Sequence, residues 1–373
     1  MKIIIDDKIP YIRGAFEGVA EVVYLPGSKT TPEIARDADA IVTRTRTICN
    51  ETLLAGSSVK FIATATIGFD HIDTDYCEAN GIRWTNAPGC NSKSVEQYIA
   101  STIMVLAEKN GWNLSEKTIA VVGVGNVGSK VARICEIFGM KVLLNDPPRE
   151  RAEGSDKFVS LETIQNEADI IALHVPLNMK GEDATYHLGN ESFLSALKKK
   201  PVLINSCRGE VIETNAVKAA LKSGQLSGFV CDCWENEPDI DLELLALTDI
   251  ATPHIAGYSK DGKATGTLMS VQAISDFFAL GLNNWTPTGV ELPLNPEFEI
   301  DGAGLTEQEI LSKAILHTYN IRNDDRDFRN NVALFEQLRG DYPTRREFPA
   351  FTINAKNIAE KTFDKLKQIG FKI

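Results

Sequence analysis

Three residues of chemical interest each stand just past a short apolar run. Arg208 follows PVLINSC, Glu237 follows GFVCDCWEN and His254 follows DIATP. Runs of this kind read as buried strands, and an arginine where such a strand ends needs an anion to meet. Its planar fork suits a carboxylate. A histidine can take a hydroxyl proton as general base. A glutamate beside it can hold the ring and stabilise its charged form. Singly, each has a plainer reading: a turn cation, a loop acid and a strand cap. Jointly they imply oxidation of a 2-hydroxy acid, provided that something nearby accepts a hydride.

That acceptor has its own signature. Residues 118–146, TIAVVGVGNVGSKVARICEIFGMKVLLND, spell a strand, G-x-G-x-x-G, a helix, a second strand and an acid. Gly123 makes the tight turn and Gly125 admits a pyrophosphate to the backbone. Gly128 lets helix and strand pack closely. Asn126 and Val127 complete the loop, and the helix N-terminus offers N–H groups to phosphate. Asp146, 18 residues past Gly128, can accept bonds from ribose hydroxyls and would repel a 2′-phosphate. The expected cofactor is therefore NAD rather than NADP, although Arg149 is a nearby cation able to receive that phosphate.

The elements that must carry these residues alternate strand and helix. In the first ~90 residues, IIID, EVVYL, DADAIVTRT and VKFIATAT read as strands. SVEQYIASTIMVLAEKN (94–110) is a long helical pattern, closed by Gly111 and expected to cross between domains. Residues 115–255 repeat strand and helix with buried, β-branched strands, the pattern of a parallel sheet covered on both faces. A helix at about 259–280 should return the chain to the first domain. Residues 283–300 carry three prolines and read as a wrapping segment. A Thr306/Glu309 capping box opens a helix-rich tail with too few apolar residues for a comfortable core of its own. Burial against a second subunit would resolve that. The expected fold class is α/β, with two Rossmann-like doubly wound parallel-sheet domains and a C-terminal α+β dimerisation domain. The expected boundaries are 1–93 plus 257–282 for substrate, 94–256 for NAD and 283–373 for the tail.

Composition narrows the partners. The chain has 373 residues, 43% hydrophobic and 24% charged, with a net charge of −12. That argues against nucleic acid and anionic membrane, which need clustered cations. No run approaches the roughly 18 apolar residues that cross a bilayer. The N-terminal MKIIIDDKIP reads as a first strand rather than a signal peptide. Seven scattered cysteines fit reduced thiols in a cytoplasmic protein, and Cys231-x-Cys233 lacks the second pair that a zinc site needs, so no metal is expected. Of the other histidines, His174 reads as a strand-end residue near the cofactor. His71, His187 and His317 read as structural.

The same segments carry a resemblance. LHVPLNMKGEDATYHL, INSCRGEVIETNAV, CDCWENEP and TPHIAGYS resemble the successive signatures of the NAD-linked D-2-hydroxyacid dehydrogenases. IDDKIPY, YLPG, TATIGFDHID, APGCNSKSVEQYI, HIAGYSKDGKATGT and LRGDYPTRREF extend the match over nearly the whole chain. They are similar to the branch of that family that oxidises a phosphorylated four-carbon hydroxy acid on the route to pyridoxine and pyridoxal phosphate. The resemblance implies a homodimer held by the C-terminal domain. It implies that Arg208 and Glu237 are catalytic and that His254 transfers the proton. Thr45, Thr66 and Tyr258 would touch substrate. Asp146, Val175, Ser206, Cys207, Asp232 and Gly257 would touch cofactor. The family pattern usually has serine at the position of Thr45, and threonine keeps the hydroxyl. Arg44 and Arg46 flank it in the chain; one could reach the substrate phosphate and the other face water. Two other readings stand beside this one: the same chemistry on another acid such as 3-phosphoglycerate, and a non-enzymatic NAD(H)-sensing protein on the same fold.

Overall fold

The computed structural model describes all 373 residues, which divide into two compact units. The first comprises Met1–Asn91 and Ser259–Glu291, and the second comprises Ser92–Tyr258 and Leu292–Ile373.

The first unit holds a sheet of β1 (Lys2–Asp6), β2 (Glu21–Leu25), β3 (Ala40–Thr43), β4 (Phe61–Thr64) and β5 (Arg83–Thr85). The strands are parallel, in the order β2-β1-β3-β4-β5. Ile3, Ile5, Val42 and Ala63 face one core, and Ile4, Ile41 and Ile62 face the other. Both faces are covered, so the strands read as continuous apolar runs. The helix Lys260–Phe278 rejoins this unit as expected, placing Val271 and Ile274 in the first of those cores. Arg83-Trp84-Thr85 had no strand signal of its own; it is a short edge strand with no fully buried residue.

The second unit holds a six-stranded parallel sheet. Its strands are β6 (Thr118–Val122), β7 (Lys141–Asn145), β8 (Ile170–Leu173), β9 (Val202–Asn205), β10 (Gly228–Cys231) and β11 (Ile250–Ala251). The order is β11-β10-β9-β8-β6-β7, so the direction of winding reverses between β6 and β8. Ligands of open α/β sheets bind at that reversal, beyond the carboxyl ends of the strands.

The helix Ser92–Asn110 belongs wholly to this unit rather than bridging out of it. It is buried nearly all round because the tail covers its outer face. Ile310, Leu311, Ala314, Ile315, Phe351 and Leu366 share one core with Ile99 and Ile103. Ser101 Oγ donates to the Tyr319 carbonyl at 2.9 Å, and Ser94 Oγ donates to Glu347 at 2.9 Å. The tail therefore shares a core within its own chain, which is how so few apolar residues suffice. It also contains a small parallel pair, β12 (Glu297–Asp301) and β13 (Thr352–Lys356), the β part of the expected α+β tail. Thr306 and Glu309 form the expected capping box. The helix Ile321–Asn330 closes the sheet edge, where Asp325 Oδ1 accepts the Ala251 N–H at 2.7 Å. An edge covered in this way offers no template for pairing with another chain.

Candidate active site

The nucleotide loop follows β6. Gly123 has φ +87°, and a Cβ there would stand 2.7 Å from the His174 carbonyl, so only glycine fits. A Cβ on Gly128 would lie 1.9 Å from the Gly123 oxygen, the close helix–strand contact expected of the third glycine. A Cβ on Gly125 would meet nothing within 4 Å, which leaves that side of the loop open to a phosphate. Asp146 Oδ2 accepts the Val124 N–H at 2.8 Å, and Oδ1 accepts that of Arg149 at 3.1 Å. The acid thus stiffens the loop while standing at the mouth of a cleft lined by Val122, Gly123, Val175, Pro147 and Leu188. Glu182 and Asp183 also line it, both paired with Arg151. Arg149 pairs with Glu153 at 2.6 Å and donates to the Val124 carbonyl.

Two further observations fit a dinucleotide here. The Ser206 hydroxyl is buried without a partner, and so are both ring nitrogens of His174. Burial holds the His174 pKa down, from 6.5 to about 4. Buried polar atoms are normally satisfied, so orphans beside a nucleotide loop are suited to a bound polar ligand.

Arg208, Glu237 and His254 follow the adjacent strands β9, β10 and β11. Glu237 Oε2 lies 2.8 Å from His254 Nδ1. Its other oxygen accepts the Trp234 N–H at 2.8 Å, which fixes the carboxylate. His254 sits at φ +55°, a conformation held by its own N–H bonding to the Asp232 carbonyl at 2.8 Å. Arg208 departs from the burial argument: its side chain is exposed. One N–H donates to the Cys207 carbonyl at 2.7 Å, and the rest of the fork makes no bond within the protein. The Arg208–Gly209 turn is nonetheless rigidly placed, because a Cβ on Gly209 would lie 1.9 Å from the Trp234 carbonyl oxygen.

Several residues that stitch these loops together escaped the sequence reading. Asn205 Nδ2 donates to the Arg208 carbonyl at 2.9 Å and the Cys233 carbonyl at 3.1 Å. Trp234 Nε1 donates to the Thr252 carbonyl at 2.9 Å. Arg345, buried in the tail, donates to the carbonyls of Ile255 (3.3 Å), Ala256 (3.1 Å) and Ser94, and to Gln97 Oε1 at 2.9 Å. The only sequence signal for Arg345 lay in the LRGDYPTRREF resemblance, with no role attached. The family resemblance implies that Asp232 is a cofactor contact. In the fold its carboxylate is 1% exposed and accepts from Thr252 Oγ1 (2.6 Å), Ile255 N (2.8 Å) and Ala256 N (2.9 Å). Cys207 is buried, and its thiol is pushed up to about 11. Gly257 and Tyr258 continue the loop past His254. Tyr258 packs edge-on against Tyr342 at 5.8 Å.

Cys233, Glu237 and His254 have ligand atoms within 4.8 Å of one another. The 2.8 Å contact between glutamate and histidine is a direct hydrogen bond, and burial keeps the Cys233 thiol protonated. None of the seven cysteines forms a disulfide. His187 bonds to Glu235 at 2.7 Å, His317 stacks on Phe298, and burial lowers the pKa of His71.

In the first unit, Thr45 lies just past β3 and is exposed. Thr66 lies two residues past β4. Its Oγ1 is 3.1 Å from the Arg44 carbonyl and 2.8 Å from that of Gly68. Arg44 is half-buried and Arg46 exposed.

Comparison with known proteins adds to this geometry. The profile "D-isomer specific 2-hydroxyacid dehydrogenase, NAD binding domain" matches residues 93–256, and "Domain of unknown function (DUF3410)" matches residues 292–370. The erythronate-4-phosphate dehydrogenase of Bacteroides fragilis (strain YCH46) is 53% identical over 95% of this chain and 99% of its own. That of Proteus mirabilis (strain HI4320) is 42% identical over 100% and 99%. Among solved structures, D-lactate dehydrogenase from Aquifex aeolicus, complexed with NAD and lactic acid, aligns with a TM-score of 0.58 at 27% identity. The alignment covers 77% of this chain and 99% of that one. The apo D-mandelate dehydrogenase of Rhodotorula graminis, at 23% identity and a TM-score of 0.62 over 77% and 97%, shares the fold.

Proposed function

The chain belongs to the erythronate-4-phosphate dehydrogenases, within the D-isomer specific 2-hydroxyacid dehydrogenases, and from that premise we propose the reaction and the residues that perform it. The substrate is 4-phospho-D-erythronate and the product is 2-oxo-3-hydroxy-4-phosphobutanoate, a step toward pyridoxal phosphate. NAD, when bound, supplies the acceptor for the C2 hydride. The observation that carries the proposal is the 2.8 Å pairing of Glu237 with His254 Nδ1, with Arg208 at the end of the neighbouring strand β9.

With Nδ1–H donating to Glu237, His254 Nε2 is left as the base. It takes the C2 hydroxyl proton as the carbonyl forms. Glu237 stabilises the imidazolium that results. Arg208 holds the substrate carboxylate, which fixes C2 in position. The hydroxyls of Thr45 and Thr66, with Tyr258, bond the rest of the polyol. Gly123, Gly125, Asn126, Val127 and Gly128 receive the pyrophosphate, and Asp146 the ribose. Val175, Ser206, Cys207, Asp232 and Gly257 border the nicotinamide half, Asp232 through its grip on neighbouring backbone.

The active species is a cytoplasmic homodimer joined through the tail, as the family resemblance implies. Leu292 and Leu294, at 77% and 87% exposure, are apolar surface suited to such a contact. Sedimentation at micromolar concentration tests it, and a monomer would refute it.

The reaction is tested by following NADH formation from 4-phospho-D-erythronate beside 3-phosphoglycerate and unphosphorylated erythronate. A parallel assay adds a 2-oxo acid acceptor, so that retained NADH does not hide turnover. Preference for the four-carbon phosphate is expected. Equal or better turnover of 3-phosphoglycerate would move the assignment to that acid. Tight NADH binding with no turnover of any acid would favour a sensor.

A further inference from the structure

The segment GYSKDGKATGT carries a lysine that the reaction above does not use. We propose that Lys263 and Arg44 form the seat for the substrate's phosphate, an inference that rests on the substrate reading just given.

Both residues lie in the first unit, at the carboxyl ends of its strands. Winding in that sheet reverses between β1 and β3, and Arg44 is the first residue past β3. Anions and polar ligands of open α/β sheets bind at such reversals. The Arg44 carbonyl accepts the Thr64 hydroxyl at 2.9 Å and lies 3.1 Å from that of Thr66. The loop bearing Arg44 and Thr45 is thereby fastened to the loop bearing Thr66.

The helix Lys260–Phe278 presses its first turns onto the same strand ends. A Cβ on Gly266 would stand 2.7 Å from the Ala65 carbonyl oxygen and 3.5 Å from Cys90 Sγ. Thr267 Oγ1 donates to the Pro10 carbonyl at 2.8 Å, and Ser259 caps Gly262 at 2.8 Å. So placed, Lys263 is half-buried, and Arg44 and Lys260 are near enough for their charges to act on it. Desolvation and these two cations lower its pKa. Glu291 also acts on it, and bonds Lys260 at 3.0 Å and Tyr11 Oη at 2.5 Å. Arg44, Lys260 and Lys263 thus bring three cations to one strand end. Gathering like charges in a half-buried place is unfavourable by itself, and a phosphate monoester, with about two negative charges, is suited to such a place. The choice between the two arginines of the TRTRT loop follows. Arg44 is half-buried and acts on Lys263, whereas Arg46 is exposed and makes no ion pair.

The test compares wild type, Lys263→Met and Lys263→Arg on 4-phospho-D-erythronate and on unphosphorylated erythronate. In Lys263→Met, KM for the phosphorylated acid should rise roughly tenfold or more, while kcat/KM for erythronate stays within about threefold. Lys263→Arg should recover most of the loss, because it returns the charge. A thermal melt matching wild type shows that the variants fold. If wild type has no preference for the phosphorylated acid, the substrate reading falls and takes this seat with it. If wild type has the preference and Lys263→Met keeps it, or if both substrates suffer equally, the seat alone is wrong.

Discussion

At the scale of single residues, the trio makes separable demands. Arg208 must offer two parallel donors, and lysine offers a point charge. Arg208→Lys should therefore lose ~2–4 kcal/mol of transition-state stabilisation. A variant within about twofold of wild type in kcat/KM would reject the carboxylate clamp. His254→Asn should keep NADH affinity, since no part of its ring enters the nucleotide loop, while turnover falls steeply. Unchanged turnover would remove His254 from the chemistry. His174 carries a different prediction. Its pKa is about 4 in the folded chain against an ordinary 6.5. The unfolded chain thus binds the proton more readily, and the stability present above about pH 6.5 is lost as pH falls toward 4. The melting temperature of the apo chain should drop across that window, and His174→Phe should flatten the drop. An equally steep drop in the variant would show that other groups cause it.

At the scale of elements, the strand ends and the nucleotide loop were legible because their chemistry is local. Glycine spacing, an acid at the end of a β-branched run and a proline before His254 are all visible in a single line of sequence. What braces them was not legible, because the bracing residues are distant in sequence and ordinary in type. Asn205 gains meaning only when β9 and β10 lie side by side. The loop past His254 is gripped from two directions: the Asp232 carboxylate takes the N–H groups of Ile255 and Ala256, and Arg345 takes their carbonyls. Asp232→Asn keeps the shape but turns one acceptor into a donor that faces a donor. It should destabilise the chain by about 2–4 kcal/mol. It should also lower kcat while changing NADH affinity by less than about threefold. A fall in NADH affinity without a fall in kcat would instead make Asp232 a direct cofactor contact.

At the scale of the whole chain, the tail is where the sequence said least and the fold explains most. Its low apolar content left open what it packs against; within the chain, Ile310, Leu311, Ile315 and Leu366 complete a core begun by Ile99 and Ile103. The dinucleotide-binding sheet and the tail therefore form one cooperative body, and Arg345 carries the tail's influence as far as the backbone of the catalytic loop. Two variants separate these roles. A chain ending at residue 291 would expose the apolar face of the helix Ser92–Asn110, and should aggregate rather than fold into an active remnant. Arg345→Lys leaves that core intact. Its single ammonium cannot span Gln97 and the carbonyls of Ser94, Ile255 and Ala256 together. Its kcat should fall by roughly tenfold or more, while KM and NADH affinity stay near wild type and the melting temperature drops only modestly. Full turnover in Arg345→Lys would reduce the tail to a structural cover, and an active, soluble chain ending at residue 291 would show that catalysis needs no tail at all.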